Sequence, residues 1–196
     1  ALFLVTRDFA ASNQAQRFQD ARTWYDMGEH ALRKGDTAVA LTALRQAIAK
    51  DPDAPTYRLA LASVLIAADQ DEAARRVLVR LRERQPEDAE TNLQLARLEA
   101  RRGDRAAVGR YYQTAIVGLW ESDQRETQRQ VRAEFIQFLL NHAERDRALS
   151  ELLVLEAGLP TDLSSQLAVG EMLLAAGDAR RAGDHFAQAL RLDPKN

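Results

Sequence analysis

Pro52 and Pro86 stand 34 residues apart, and so do Pro160 and Pro194. A fixed period of that length marks a chain built from repeated supersecondary units, each too small to bury its apolar face alone. With these prolines at position 32 of a 34-residue unit, five units follow: 21–54, 55–88, 89–122, 129–162 and 163–196. A leading segment, 1–20, and an insertion, 123–128, complete the chain.

Side-chain size recurs in the same register. Position 20 is Ala40, Ala74, Val108, Ala148 and Ala182, and position 27 is Ala47, Leu81, Ala115, Leu155 and Ala189. Position 8 is Gly28, Ala62, Ala96, Ile136 and Gly170. Small residues at a crossing let two helix axes approach to the short end of the ~8–10 Å range. Large residues alternate with them: Met27, Leu61, Leu95, Phe135 and Val169 at position 7, and Leu44, Leu78, Tyr112, Leu152 and Phe186 at position 24.

The turns carry their own chemistry. Gly35, Gly103 and Gly177 occupy position 15 of three units, each followed by Asp36, Asp104 or Asp178. Such a glycine ends one helix in the left-handed conformation, and the aspartate caps the free N–H groups of the next. The proline near the end of a unit disfavours helix at the residue before it. Each unit is therefore expected to be a helical hairpin, with helices near 21–34 and 37–50 and their equivalents shifted by 34 and 68 residues. The later pairs are expected near 129–142 with 145–157 and near 163–176 with 179–191.

At these residues the chain resembles the tetratricopeptide repeat family. The first unit carries the resemblance in Trp24, Gly28, Gly35, Asp36, Ala40, Ala47, Asp51 and Pro52. The fifth carries it in Gly170, Gly177, Asp178, Ala182, Phe186, Ala189, Asp193 and Pro194. The resemblance implies an all-α fold, a right-handed α-solenoid of antiparallel helical hairpins. Two units depart from the pattern: the third has Trp120 in place of proline, and the fourth has Ala143-Glu144 at its turn and Ile136 at a small-residue site. The second helix of the third unit is accordingly expected to run long, through Leu119 and Trp120, before the chain restarts.

Composition narrows the chemistry. The 196 residues contain no cysteine, which removes disulfides, zinc-thiolate sites, iron–sulfur clusters and thiol nucleophiles together. The three histidines, His30, His142 and His185, have no second histidine at the helical spacing of a metal site such as H-E-x-x-H. No Gly-rich phosphate loop or G-x-S-x-G elbow occurs, so no catalytic residue, cofactor or metal is expected. Arginine outnumbers lysine 24 to 3, yet the formal charge is −2 and the densest run, 75–110, mixes ten arginines with six acids. These arginines divide between first and second helices without interleaved aromatics, so nucleic-acid binding is not expected.

The two ends invite separate readings. Ala1-Leu2-Phe3-Leu4-Val5 is apolar and is followed by Thr6, Arg7 and Asp8. A helix is expected to begin near Asp8 and run into the first unit as an N-terminal cap, and the apolar residues before it read either as a short start that packs on the first hairpin or as the tail of a signal or membrane segment upstream of Ala1. The compartment stays open between cytoplasm and a membrane tether. At the other end Phe186, Leu190 and Leu192 have no following helix to cover them. Solenoids need a polar terminal cap, so the chain is expected to continue or to meet a neighbouring copy there, giving a homo-oligomer.

The resemblance also implies a working surface. In the family, positions 5, 9, 12 and 13 of the first helix line a concave groove. Here these positions supply Tyr25, Leu59, Leu93, Ala133 and Leu167; Glu29, Ser63, Arg97, Gln137 and Glu171; Leu32, Ile66, Ala100, Leu140 and Leu174; and Arg33, Ala67, Arg101, Asn141 and Ala175. An apolar ladder with scattered charge suits an extended peptide or an amphipathic helix. Curvature of the superhelix would instead bury several of these leucines. Chaperone-binding members clamp a C-terminal carboxylate with Lys and Asn residues, where this chain has Tyr25, Glu29, Ala60, Glu90 and Gln94. Capture of acidic chaperone tails is therefore not expected. The expected function is a non-catalytic scaffold or adaptor for a protein or peptide partner. The alternatives are the recognition arm of a larger enzyme and a self-association module.

Overall fold

The computed structural model describes the backbone of residues 2–118, 120 and 124–194, and side chains from residue 13 onward. Those residues form ten helices and no strand. They divide into two compact units, Ala1–Tyr111 and Tyr112–Asn196.

The first unit contains α1 Leu2–Arg33, α2 Thr37–Lys50, α3 Pro55–Ala67, α4 Asp71–Arg84 and α5 Ala89–Arg102. Antiparallel pairing of α1 with α2 and of α3 with α4 makes its hairpins. The boundary between units falls inside α6 Arg105–Val117. The second unit contains α7 Arg125–Asn141, α8 Arg145–Ala157, α9 Leu163–Ala176 and α10 Ala179–Leu192, paired α7 with α8 and α9 with α10.

Local turn chemistry acts where the sequence places it. Asp36, Asp104 and Asp178 accept backbone N–H bonds from Val39, Ala107 and Arg181 at 3.0–3.1 Å. Gly35, Gly103 and Gly177 have φ of 78, 82 and 94°. The remaining two turns use the same left-handed position without glycine: Asp69 has φ 54° and Ala143 φ 60°. An alanine there carries a steric cost of about 1–2 kcal/mol, because its Cβ crowds the following carbonyl.

The small residues sit at the crossings. Ala40, Ala74, Val108 and Ala148 are 0% exposed and Ala182 1%. A Cβ built on Gly28 would lie 2.8 Å from Leu44 Cγ, and one on Gly170 would lie 2.5 Å from Phe186 Cε1. The large position-24 side chain thus fills the space left by the position-8 glycine. Position 4 adds a polar tie between successive hairpins. Asn92 Nδ2 donates to the carbonyls of Pro86 (2.9 Å) and Asp88 (2.7 Å), and Gln166 Nε2 donates to the carbonyl of Pro160 (3.2 Å).

Two expectations are corrected. The helix of the leading segment begins at Leu2 rather than near Asp8, and runs unbroken into the first hairpin. α6 does not run long: it ends at Val117, Gly118 bends, and Trp120 is outside the helix, while Leu119 lies outside the described residues. The cause is side-chain capping. Trp120 Nε1 donates to the Ala115 carbonyl (2.8 Å) and Gln128 Nε2 to the Ile116 carbonyl (2.6 Å), satisfying last-turn acceptors that otherwise lack partners. Of the insertion, residue 123 is likewise outside the described residues, Gln124 caps α7, and 125–128 form its first turn.

Candidate functional site

Within each unit the first helices of successive hairpins approach one another: α1 meets α3 and α3 meets α5, and in the second unit α7 meets α9. The second helices α2 and α4, like α8 and α10, make at most marginal contact. The first helices therefore occupy the tighter, inner side of each unit, and their unburied residues form the candidate surface.

In the first unit the expected residues differ in what they present. Tyr25 and Leu32 are half-buried against a cluster of Ala31, Ala40, Leu44, Ala60 and Val64, and Tyr25 packs its ring 5.2 Å from that of Tyr57. Burial first, then the Glu29 and Asp26 carboxylates, raises the Tyr25 pKa, so the hydroxyl remains a neutral hydrogen-bonding group. Leu59 and Ile66 are half-buried against a second cluster that includes Leu81, Leu95 and Leu98. Leu93 is only 2% exposed and presents no side chain to a ligand. Its expected place on a groove wall is taken by hairpin packing.

Ser63 returns its hydroxyl to the Leu59 carbonyl at 3.2 Å, and Glu29 is half-buried. Arg33, Arg97 and Arg101 are exposed. Arg101 reaches Asp69 Oδ1 at 2.8 Å and Asp71 Oδ1 at 3.4 Å, tying α5 to the α3–α4 turn. In the second unit Gln137 and Glu171 are exposed, Leu140 and Leu167 half-buried, and Leu174 is 55% exposed. Gln137 Nε2 donates to Asn141 Oδ1 at 3.1 Å.

Within the arginine-rich run, Arg75, Arg84, Arg101 and Arg102 pair with carboxylates elsewhere in the first unit. Arg75 Nε lies 2.6 Å from Glu99, which is 3% exposed and also receives Arg102 at 3.2 Å. Arg102 further pairs with Glu72, and Arg84 with Asp53 at 3.3 Å. Arg82 lies over the Tyr111 ring. Apart from Glu99 with Arg102, three residues apart, these ion-pair partners lie 24 to 32 residues away, so linear spacing does not reveal them.

The histidines are dispersed. His30 is exposed, and His142 closes α7 with Nδ1 2.8 Å from the Phe138 carbonyl oxygen. His185 is the least surface-like: Nε2 lies 2.8 Å from Glu156 Oε1 and Nδ1 2.8 Å from Gln166 Oε1, joining α8, α9 and α10. Burial and the Arg181 guanidinium lower its pKa against the opposing Asp184 charge, whereas the oxygen at each ring nitrogen favours the imidazolium. Arg181 also pairs with Glu156, leaving that carboxylate fully engaged. Among the described residues no three His, Asp or Glu side chains converge as metal ligands would. No described helix is long and apolar enough to cross a membrane.

Comparison with known proteins agrees with this geometry. Residues 31–98 match the tetratricopeptide repeat family. No curated protein matches the chain. Among solved structures, that of the MamA protein superposes with a TM-score of 0.66 at 18% identity, covering 90% of this chain and 93% of its own. YrrB, described as a TPR protein with an unusual peptide-binding site, gives 0.59 at 16% identity, covering 96% and 92%. A putative kinesin light chain from Podospora anserina with nearly identical TPR-like repeats gives 0.68 at 15% identity, covering 89% and 95%. Residues 31–98 thus match the tetratricopeptide repeat model, and the ten described helices form an all-α helical-repeat fold similar to those of these solved structures.

Proposed function

We propose that the chain is a non-catalytic adaptor whose first helices present their inner surface to a protein or peptide partner. The observation that carries this reading is the set of incompletely buried apolar side chains on the first helices of each unit: Tyr25, Leu32, Leu59 and Ile66 in the first, and Leu140, Leu167 and Leu174 in the second. Exposed polar groups, Arg97, Gln137 and Glu171, stand among them. Such a surface anchors a peptide by apolar contacts and sets its register by polar ones. The peptide-binding site named for YrrB supports the same kind of partner. Pairing of Arg75, Arg101 and Arg102 with carboxylates speaks against nucleic acid, since those guanidiniums are engaged within the fold.

Site-specific photo-cross-linking tests the proposal. A benzoylphenylalanine at Gln137 or Glu171 is expected to trap partner in cells, and one at the exposed second-helix residues Arg45 or Arg76 is not. Equal trapping from both sets, or trapping from the second-helix set alone, would remove the inner surface from the account.

A second reading, self-association, is favoured by one observation: Leu190 and Leu192 of α10 are 52% and 48% exposed. Light scattering of the chain against a Leu190→Glu variant tests it. A shared monomer mass would count against association.

A further inference from the structure

Between α7, α9 and the α8–α9 turn lies a hollow of about 160 Å³ with an apolar floor of Ala133, Leu155, Leu159, Val169 and Met172. Register explains why it is there. Position 5 carries Tyr25, Leu59, Leu93 and Leu167 in the other hairpins, but Ala133 on α7. In the second hairpin Leu59 packs onto the cluster that holds Leu81, Leu95 and Leu98. The counterparts of those three residues in the fourth and fifth hairpins are Leu155, Val169 and Met172, and all three line the hollow. In the first hairpin Tyr25 packs onto the cluster holding Ala60 and Val64, the counterparts of Ala168 and Met172. The walls of this packing site are retained in the second unit, and only the side chain that fills it is missing.

We infer that the hollow is a socket for one leucine-class aliphatic side chain carried by a segment of the partner protein. This rests on the proposed adaptor function and specifies the chemistry of its partner. The socket continues the α7–α9 packing surface, so an inserted aliphatic group completes an interface that the chain builds for itself between α3 and α5. The rim faces solvent through Glu126, Gln130 and Ala168. At the rim, Arg129 NH2 pairs with Glu126 at 2.5 Å and NH1 donates to the Gly158 carbonyl at 2.9 Å, while its buried Nε has no partner among the described residues. The Arg129 charge is balanced by Glu126, so an occupant carrying a net charge of its own would be desolvated without a counter-charge. A neutral aliphatic group is the occupant that buries the apolar floor without desolvating a charge of its own.

The test uses the chain as it stands and N-acetyl-L-leucinamide as the probe, with N-acetylglycinamide as the control that lacks a side chain. Methyl NMR of Leu155, Val169 and Met172 is expected to show saturable shifts with the leucine probe alone. Ala133→Leu restores the side chain found elsewhere at this register and is expected to weaken probe binding at least tenfold without lowering the thermal midpoint. Ala168→Leu fills the socket from the opposite helix and decides the matter should Ala133→Leu fail to fold. Absence of saturable shifts in the wild type, or shifts that persist in the folded variants, would overturn the socket. Because the probe carries no partner backbone, that failure would leave the cross-linking test of the inner surface standing.

Discussion

The same substitution, Gly→Ala, is expected to have opposite signs at two helical positions. Gly28 faces Leu44, which is 0% exposed, and an added Cβ would lie 2.8 Å from its Cγ and 3.0 Å from its Cδ2. Contacts that short force Leu44 or the α1–α2 crossing to shift, and overpacking of this kind costs about 1–3 kcal/mol. Alanine in a helix interior returns only about 0.5–1 kcal/mol of backbone entropy and exposure. Gly28→Ala should therefore destabilise the first hairpin by about 1 kcal/mol. Gly183 lies within α10 with nothing inside 4 Å of its would-be Cβ. Gly183→Ala meets no opposing contact and should stabilise by about 0.5–1 kcal/mol. Urea denaturation followed by circular dichroism reads both differences, with hydrogen exchange assigning each to its hairpin. Stabilisation by both variants would show that the crossing has room to spare, and the argument from small side chains would fail.

Other perturbations follow from single features. Ala143→Gly relieves the left-handed backbone at φ 60°, and urea titration should find a gain of about 0.5–1 kcal/mol once glycine's entropy cost is subtracted. Asn92→Ala removes a 0% exposed side chain that donates to the Pro86 and Asp88 carbonyls and accepts from Arg82; a loss of about 1–2 kcal/mol is expected, and no measurable loss would contradict the tie. Asp162 caps α9, and hydrogen bonds from Ser164 first, then Ser165, hold its carboxyl well below the usual carboxylate range. A folded-state pKa lowered in this way contributes stability above the unfolded value near ~3.9, and that contribution fades as pH falls below it. The protection of amides at the start of α9, taken relative to their intrinsic exchange rates at each pH, should fall on acidification below that point in the wild type, and this step should be lost in Asp162→Asn.

Local chemistry was the legible part of this chain. The Gly-Asp pairs at 35–36, 103–104 and 177–178 act within a few residues of themselves, so linear order sufficed to place those turns and caps. Recurring alanines and glycines exposed the all-α repeat fold for the same reason. What escaped depends on residues that meet only after folding. Trp120 and Gln128 end α6 by reaching back to its carbonyls, a role invisible in composition or period. His185 finds Glu156 across 29 residues, and Glu99 finds Arg75 across 24. Leu93 matches its register partners in type, yet neighbouring helices reduce it to 2% exposure. Position within a repeat indicates which way a side chain sets out; the adjacent hairpin decides whether it reaches solvent.

Residue-resolved hydrogen exchange on Ala40→Leu examines the nesting of hairpins most directly. Ala40 is 0% exposed at the α1–α2 crossing, and a leucine there should cost about 1–3 kcal/mol. In a quasi-linear stack stability is close to a nearest-neighbour sum. Protection should therefore fall in α1–α3 and remain at wild-type levels in α9 and α10. A uniform loss of protection along all the described helices would contradict the account.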